Sequence, residues 1–190
     1  MFLTKLELEQ KGFKSIGENV LISNLASIYN AKNIEIGSNV RIDDFVILSP
    51  GRSLKIGSYV HIACYSSIIG LGEVVLEDYV GISSRVSIFS SSDDYTGMAM
   101  TNPMIPIKYR KVTNGKVLIK KHSIIGTCSV ILPNVTIGMG SSIYTQTLIK
   151  TDCEELGVYF GIPAKKIGNR LKKFLEYEKK FTADNKRSTV

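Results

Sequence analysis

Bulky aliphatic residues recur along the chain at every sixth position: Ile16, Ile22 and Ile28, then Ile36, Ile42 and Leu48, then Ile56, Ile62 and Ile68, then Leu76, Ile82 and Ile88. Each triplet stands twenty residues after the one before it, and Val20, Val40, Val60 and Val80 keep the same step, as do Gly17, Gly37 and Gly57, with Glu77 in the fourth place of the glycine column. After a break the beat resumes as Ile119, Ile125, Ile131, Ile137, Ile143 and Ile149. If about a third of positions were bulky aliphatics at random, the twelve positions of the first four triplets would be filled about once in several hundred thousand trials. A six-residue beat fits neither the 3.6-residue period of a helix nor the alternation of a lone strand. It fits a short strand and a corner, repeated three times per triangular turn. The pattern therefore predicts an all-β chain, a parallel β-helix of stacked coils. One aliphatic per side points inward, and Ile16, Ile36, Ile56 and Leu76 lie one above another at about 4.8 Å. The two surplus residues of each early turn, Ile34-Glu35, Leu54-Lys55 and Val74-Val75, are expected as a corner bulge.

The beat stops between Phe89 and Gly115, where Ser90-Ser-Ser-Asp-Asp-Tyr-Thr-Gly97 and Asn102-Pro-Met-Ile-Pro106 are rich in turn residues. A long loop ejected from a regular solenoid is more often functional than tolerated. After Pro163 the spacing of Ile167, Leu171, Phe174, Leu175 and Glu178 predicts a helix, with Lys172, Lys173, Lys179 and Lys180 on its other faces. Its apolar stripe is expected to cap the open last turn, which would otherwise expose a sheet edge. The domain division read from these features is a β-helix over residues 1–164, with the loop at 89–116, followed by a C-terminal helix and tail over residues 165–190, with the tail from Ala183 to Val190 mobile.

Composition narrows the class. At 190 residues with 22% charged positions the chain has the make-up of one soluble globular domain. No apolar run has signal-peptide or membrane-spanning character, so a cytoplasmic protein without a transmembrane segment is expected. Three cysteines, Cys64, Cys128 and Cys153, form no metal-type pair and read as reduced, mostly buried small residues. The net charge of +7 is concentrated near residues 165–187. A basic helix end or a site for a phosphorylated cofactor accounts for it without nucleic acid.

The segments Ile36-Gly-Ser-Asn-Val, Ile56-Gly-Ser-Tyr-Val and Ile137-Gly-Met-Gly-Ser resemble those of the hexapeptide-repeat acyltransferases. The likeness runs from about Ile16 to Arg170. It implies a left-handed coil, which the periodicity does not supply, and a homotrimer with active sites between subunits. Ile125-Gly-Thr-Cys-Ser-Val-Ile-Leu-Pro-Asn-Val-Thr-Ile-Gly138 is similar to the family run I-G-x-x-x-x-I-L-P-G-V-x-I-G, with Asn134 in place of glycine. Asparagine tolerates positive φ, so the turn is expected to survive. By this resemblance Gly126, Thr127 and Thr145 meet the pantetheine arm of acetyl-CoA. Lys150, Thr151, Ala164, Lys165 and Lys166, in segments like the family's T-K-D and G-x-P-A-K/R, meet the CoA phosphates, for which lysine serves as a mobile point charge. No metal is expected.

The maltose and galactoside acetyltransferases begin the loop with a histidine that deprotonates a sugar hydroxyl, and Asp93 stands in its place here. A hydroxyl needs a positioned base, whereas an amine is partly neutral near pH 7 to 8 and attacks unaided. The substitution therefore favours N-acetylation over O-acetylation. Asp93 and Asp94 are candidates to orient the acceptor and collect its proton, with turn capping as the alternative role. His122 and, ranked slightly after it, His61, both outward by repeat phase, are candidate bases; a solvated surface histidine is the competing reading of His122, while His61 is placed to line the cleft or to contact an adjacent subunit. Arg85, Tyr95 and Arg110 are candidate contacts to the phosphate or base of a nucleotide sugar. Cys128, beside the inward residues Ile125 and Ile131, reads as structural, so direct attack in a ternary complex is expected.

The expected activity is transfer of acetyl from acetyl-CoA to the amino group of a nucleotide-linked amino sugar. Among family members the likeness is greatest to acyltransferases of surface-polysaccharide pathways, such as O-antigen biosynthesis, that act on dTDP-4-amino-4,6-dideoxyglucose. The rivals are a sugar O-acetyltransferase, with His122 or His61 as base, and a non-enzymatic structural β-helix, which would have no use for the loop or for Gly161-Ile-Pro-Ala-Lys. A γ-type carbonic anhydrase would need three histidines for zinc, and the chain has two.

Overall fold

The structure is a computed structural model that describes residues 1–187. Its body is a parallel β-helix with three faces, formed by sheets of six, eight and six strands. A first face stacks Ile16, Ile36, Ile56, Leu76, Ile119 and Ile137 in register. A second stacks Ile22, Ile42, Ile62, Ile82, Ile125 and Ile143. A third stacks Ile28, Leu48, Ile68, Ile88, Ile131 and Ile149. The expected columns are present, and apart from the first-coil residues Ile16 and Ile28 their side chains are buried. Many sides bury two residues rather than the expected one, as with Val20 and Ile22, Val40 and Ile42, and Val46 and Leu48. One residue of each surplus pair is also inward: Ile34, Leu54 and Val74 are buried in strands Ile34–Ile36, Ser53–Ile56 and Glu73–Leu76, while Glu35, Lys55 and Val75 face outward. The expected corner bulge is instead a longer first face. An apolar pair in strand alternation gains more by entering the core than by standing at a corner.

Corners are where coils approach most closely. A Cβ on Gly37 would lie 2.7 Å from the carbonyl carbon of Gly57, and one on Gly57 would lie 2.5 Å from Oδ1 of Asp78, so the glycine column follows from backbone approach. Buried hydroxyls tie adjacent coils together, among them Ser123 Oγ to the Gly138 carbonyl at 2.9 Å and Ser129 Oγ to that of Tyr144 at 2.9 Å. Asn134 takes φ 62° as expected.

The corner between the first and second faces carries Asn19, Asn39, Tyr59, Tyr79 and His122, all at positive φ. For a bulky residue this conformation costs about 1–2 kcal/mol. Ring stacking, worth about 0.5–1.5 kcal/mol per pair, offsets it: Tyr59 on Tyr79 at 5.0 Å, and Tyr79 on His122 at 4.8 Å. Against this ladder lies the C-terminal helix Phe174–Arg187, with Phe174 beside the His122 ring at 4.9 Å and Phe181 edge-on to Tyr59 at 5.2 Å. Glu178 binds Lys121 Nζ at 2.5 Å and His122 Nε2 at 2.8 Å.

Two expectations about the C-terminus change as a result. Residues 165–169, expected as helix, form the strand Lys165–Asn169, antiparallel to Gly157–Phe160 and closing the edge of the second face. The helix begins at Phe174 and runs along the side of the prism instead of capping its end. It continues through part of the segment read as a mobile tail, and residues 188–190 of that tail lie outside the described residues. At the other end of the chain a short helix, Lys5–Gln10, held by a Thr4–Glu7 capping box, buries Leu8 against the first coil.

The loop after Phe89 leaves at the corner between the third and first faces. Its base is an antiparallel ribbon pairing Ser91–Asp93 with Val112–Asn114, and a 3₁₀ turn at Ile107–Tyr109 lies further out. The expected ejected loop is thus an arm with its own secondary structure.

Hydrogen bonds from Lys121 and then His122 hold the Glu178 carboxyl below its usual value of 4.5. A depressed carboxylate pKa contributes stability above the unfolded value, which is lost as pH falls through the folded one. Glu178→Gln is therefore expected to lower Tm by about 2 °C at pH 7, and the gap to the wild type should close below about pH 4. Thermal melts of both proteins at the two pH values check this.

Candidate active site

The strands place the three candidate catalytic groups on three different parts of the prism. His122 stands at the first corner with its side chain 11% exposed, stacked between Tyr79 and Phe174 and bonded to Glu178. In this chain its ring holds the C-terminal helix. Asp93 ends the first ribbon strand of the arm, half-buried, and among the described residues its carboxylate has no hydrogen-bond partner. His61 is on the outward side of the second face, in strand His61–Ile62, with its side chain half exposed.

His61 is held by a charged pair on the same face. Its Nε2 lies 2.8 Å from Asp43 Oδ2, while Arg41 Nε holds Asp43 Oδ1 at 2.7 Å. Burial pushes the Asp43 carboxyl upward, and the hydrogen bonds from Arg41 and His61 outweigh it, leaving the pKa below the ordinary range. An ionised Asp43 can only accept, so Nε2 is the donor in this contact and Nδ1 stays outside it. Beside it opens a cavity of about 380 Å³ bounded by Ala63, Gly81, Ser83, Ser84, Ile124 and Thr127. Asp43 was missed in the sequence. The signal was its position one coil above Ala63 and two above Ser83 in the same column, a reading available once the register is known.

Asp94 takes the turn-capping role. Its Oδ1 accepts from the Thr96 hydroxyl at 2.6 Å and from the Thr96 amide, and its Oδ2 accepts from the amides of Met98 and Ala99. These donors, the Thr96 hydroxyl foremost, lower its pKa. With both oxygens so engaged, Asp94 shapes the arm and is not free for an acceptor sugar. Tyr95, next to it on the arm, is 92% exposed. Arg110, at the arm's return, has a buried Nε without a partner among the described residues. Arg85 lies on the second corner, its guanidinium 5.4 Å from the Tyr65 ring, which stacks on Phe45.

The residues assigned to the cofactor lie on the last coils. Gly126 is tightly enclosed, since a Cβ there would sit 2.6 Å from the Thr145 amide nitrogen. Thr127 lines the cavity, and Thr145 is exposed one coil beyond, on the same corner. Lys150 and Thr151 are exposed at the corner between the third and first faces. Ala164 donates its amide to Leu148 at 2.9 Å, bringing the Gly161–Ala164 segment under the third face. Lys165 is exposed without a carboxylate partner among the described residues, whereas Lys166 is paired with Glu154 at 2.7 Å, which raises its pKa. Cys153 is buried and its thiol is pushed up to about 12, as suits a structural cysteine. Cys128, read as structural, is exposed at positive φ on the second corner, because the residue after Thr127 turns the chain outward.

No family model matches the sequence. A curated dTDP-4-amino-4,6-dideoxy-D-glucose acyltransferase of Escherichia coli is 50% identical over 181 residues, covering 95% of this chain and 94% of that protein. The chain belongs to this family of acyltransferases. AntD, an N-acyltransferase from Bacillus cereus solved with dTDP and 3-hydroxybutyryl-CoA, superposes with TM-score 0.94 at 44% identity, covering 97% of this chain and 98% of that one. A serine variant of AntD, solved with dTDP-4-amino-4,6-dideoxyglucose and coenzyme A, gives TM-score 0.93 at 43% identity, covering 96% and 97%. A hexapeptide-repeat acetyltransferase from Vibrio cholerae, at 18% identity, TM-score 0.60 and coverage of 88% and 77%, shares the fold.

For an acyltransferase of this family, the two histidines should separate by assay. His61→Asn is expected to lower turnover by about 10²-fold at an unchanged Tm. His122→Asn is expected to lower Tm, with the smaller loss of turnover. Thiol release and thermal melts on both variants check the assignment.

Proposed function

We propose that this acyltransferase moves an acyl group from acyl-CoA, acetyl-CoA foremost, to the 4-amino group of dTDP-4-amino-4,6-dideoxyglucose. What carries the reading is kinship over nearly the whole chain with an enzyme named for that acceptor. The cavity beside His61 supports it: small, lined by hydroxyls, and open on the outward side of a rigid face. In this reading the neutral amine attacks the thioester carbonyl carbon directly, and the C–S bond breaks as the tetrahedral intermediate collapses. The ammonium proton passes to His61 Nδ1 or to Asp93 and is returned to the departing thiolate sulfur, so CoA leaves as the thiol. At this corner the amides of Ser83 and Arg85 are committed to the Ile125 and Cys64 carbonyls, so the Ser84 amide is the backbone donor proposed for the developing oxyanion. Thr127, Thr145, Lys150 and Lys165 line the route proposed for CoA, and Arg85, Tyr95 and Arg110 are proposed to receive the dTDP moiety.

The arrangement calls for more than one chain. Asp93 and His61 stand on different sides of a prism that does not bend, so a site containing both takes the arm of one copy and the second face of another. Exposed apolar groups favour such a partner: Phe45, Tyr65 and Tyr144 beside the second face, and Tyr95, Met98, Met104 and Ile107 on the arm. We propose the homotrimer expected for this family, soluble in the cytoplasm and working in surface-polysaccharide biosynthesis. Among the described residues no helix is long and apolar enough to cross a membrane.

The reading is tested by thiol release from acetyl-CoA with dTDP-4-amino-4,6-dideoxyglucose against the corresponding 4-hydroxy sugar. Release with the amine alone is expected, and release with the hydroxyl alone would favour the O-acetyltransferase. Asp93→Asn is expected to lower kcat by about 10-fold or more with little change in CoA affinity. Lys165→Ala is expected to raise the KM for acetyl-CoA more than that for the sugar, and steady-state kinetics in both substrates check each variant.

A further inference from the structure

Two charged groups of the second face, Arg41 and Asp43, stand outside the proposed transfer. In and just after strand Val40–Ile42 the alternation of sides turns Arg41 outward, Ile42 inward and Asp43 outward again. Register decides what these two meet. Arg41 stands directly opposite His61 of the next coil, and Asp43 is the diagonal neighbour of that histidine. The carboxylate lies between the two bases: Oδ1 accepts from Arg41 Nε at 2.7 Å, and Oδ2 is 2.8 Å from His61 Nε2.

Both groups are held from behind. The Arg41 guanidinium lies 5.5 Å from the centre of the Phe2 ring, and Phe2 is bridged to Ser23 in the first coil. The Asp43 amide donates to the Ile62 carbonyl, so its backbone belongs to the ladder, and its side chain is 19% exposed. Position matters as much as grip. Asp43 approaches from the coil before His61, whereas the cavity lies among Gly81, Ser83, Ser84 and Thr127 on the coils after it. Strand Gly81–Ile82, packed on the far side of His61, brings no charged group. Of the corner charges nearby, Asp44 is bonded to Ser23 Oγ and Arg85 lies over the Tyr65 ring. Arg41 and Asp43 are therefore the charges set against the imidazole.

We infer that Asp43 and Arg41 are positioning residues for the transfer: Asp43 holds His61 by Nε2 so that Nδ1 is left to the cavity, and Arg41 holds Asp43. The inference rests on the base role proposed for His61 and adds the groups through which the fold supplies it. An imidazole alone on a strand turns about two side-chain bonds. A carboxylate fixed to the neighbouring coil selects one orientation of the ring, which a proton acceptor needs. The two charges also act on the ring in opposite senses, the anion favouring the imidazolium and the cation disfavouring it. The competing role is an ion pair that only ties two coils together.

The test measures kcat, both KM values and the pH dependence of kcat/KM with acetyl-CoA and dTDP-4-amino-4,6-dideoxyglucose. It uses Asp43→Asn and Arg41→Gln, each alone and combined with His61→Asn, with the Tm of every protein. Asp43→Asn is expected to lower kcat by about 10-fold and Arg41→Gln by about 3-fold, with the KM for acetyl-CoA unchanged. Tm should stay within about 2 °C, as for an exposed pair. Because both residues act through the histidine, neither should lower kcat further in the His61→Asn background. The acid limb of the profile should move to lower pH in Asp43→Asn and to higher pH in Arg41→Gln. Equal losses in both backgrounds overturn the inference, as does an unchanged kcat in Asp43→Asn. So does a raised KM for the sugar at unchanged kcat in Arg41→Gln, which would assign Arg41 to the acceptor. Full turnover by His61→Asn would remove the base role and this inference with it, whereas absence of thiol release by the wild type would overturn the proposed transfer itself.

Discussion

The fold depends on one contact, the parallel stacking of each coil on the next, with aliphatic columns inside and backbone ladders around them. Because the spacing is fixed by the ladder, about 4.8 Å, side chains twenty residues apart in sequence stand next to each other in space. Every property of the surface is then a property of a column. The glycines of the first corner exist because backbone passes within contact distance of backbone there. The rings of Tyr59, Tyr79 and His122 stack because they occupy one column at one conformation. A scaffold held this tightly has little freedom to move a catalytic group, so chemistry is confined to outward columns, to corners and to the ejected arm.

The inward columns and the arm were legible in the sequence because period and burial are linked: a residue in phase is buried, and a segment out of phase cannot be. Local spacing failed where two patterns competed. Ile167, Leu171 and Phe174 have helical spacing, but the open edge at Gly157–Phe160 offers unpaired backbone, and pairing with it draws Lys165–Asn169 into a strand. The helix then starts later, at Phe174, and its direction is set by a contact that no local pattern encodes, Glu178 with a lysine and a histidine more than fifty residues earlier.

The two histidines illustrate the same limit for the site. Both are outward by phase, and the sequence ranked His122 slightly higher. Phase does not distinguish a corner from a strand. His122, at φ 62°, is turned along the corner and stacked, while His61 in its strand stands straight off the face with one nitrogen held by Asp43. Asp43 itself carried no motif. Asp94 was assignable from sequence by the ordinary rule that an aspartate two residues before a threonine closes a turn, and that was the alternative weighed for it.

The separation of Asp93 from His61 constrains any account of catalysis on this chain. In a flexible fold, distance between candidate groups can be removed by closure of a domain or lid. Here the strands that carry His61 and the ribbon that carries Asp93 are tied into the same rigid stack, on different sides of it. Asp93 has no hydrogen-bond donor to its carboxylate among the described residues, which leaves both oxygens open to solvent or to a ligand. The amine of an acceptor sugar is such a donor, and it is also the group whose proton must be lost. In the proposed trimer, a second copy laid against the apolar side of the prism would bring Asp93, the sugar and the His61 cavity into one compartment. On that proposal the interface covering Phe45 and Tyr65 would also complete the site at Asp93, so that assembly and catalysis would draw on a single requirement.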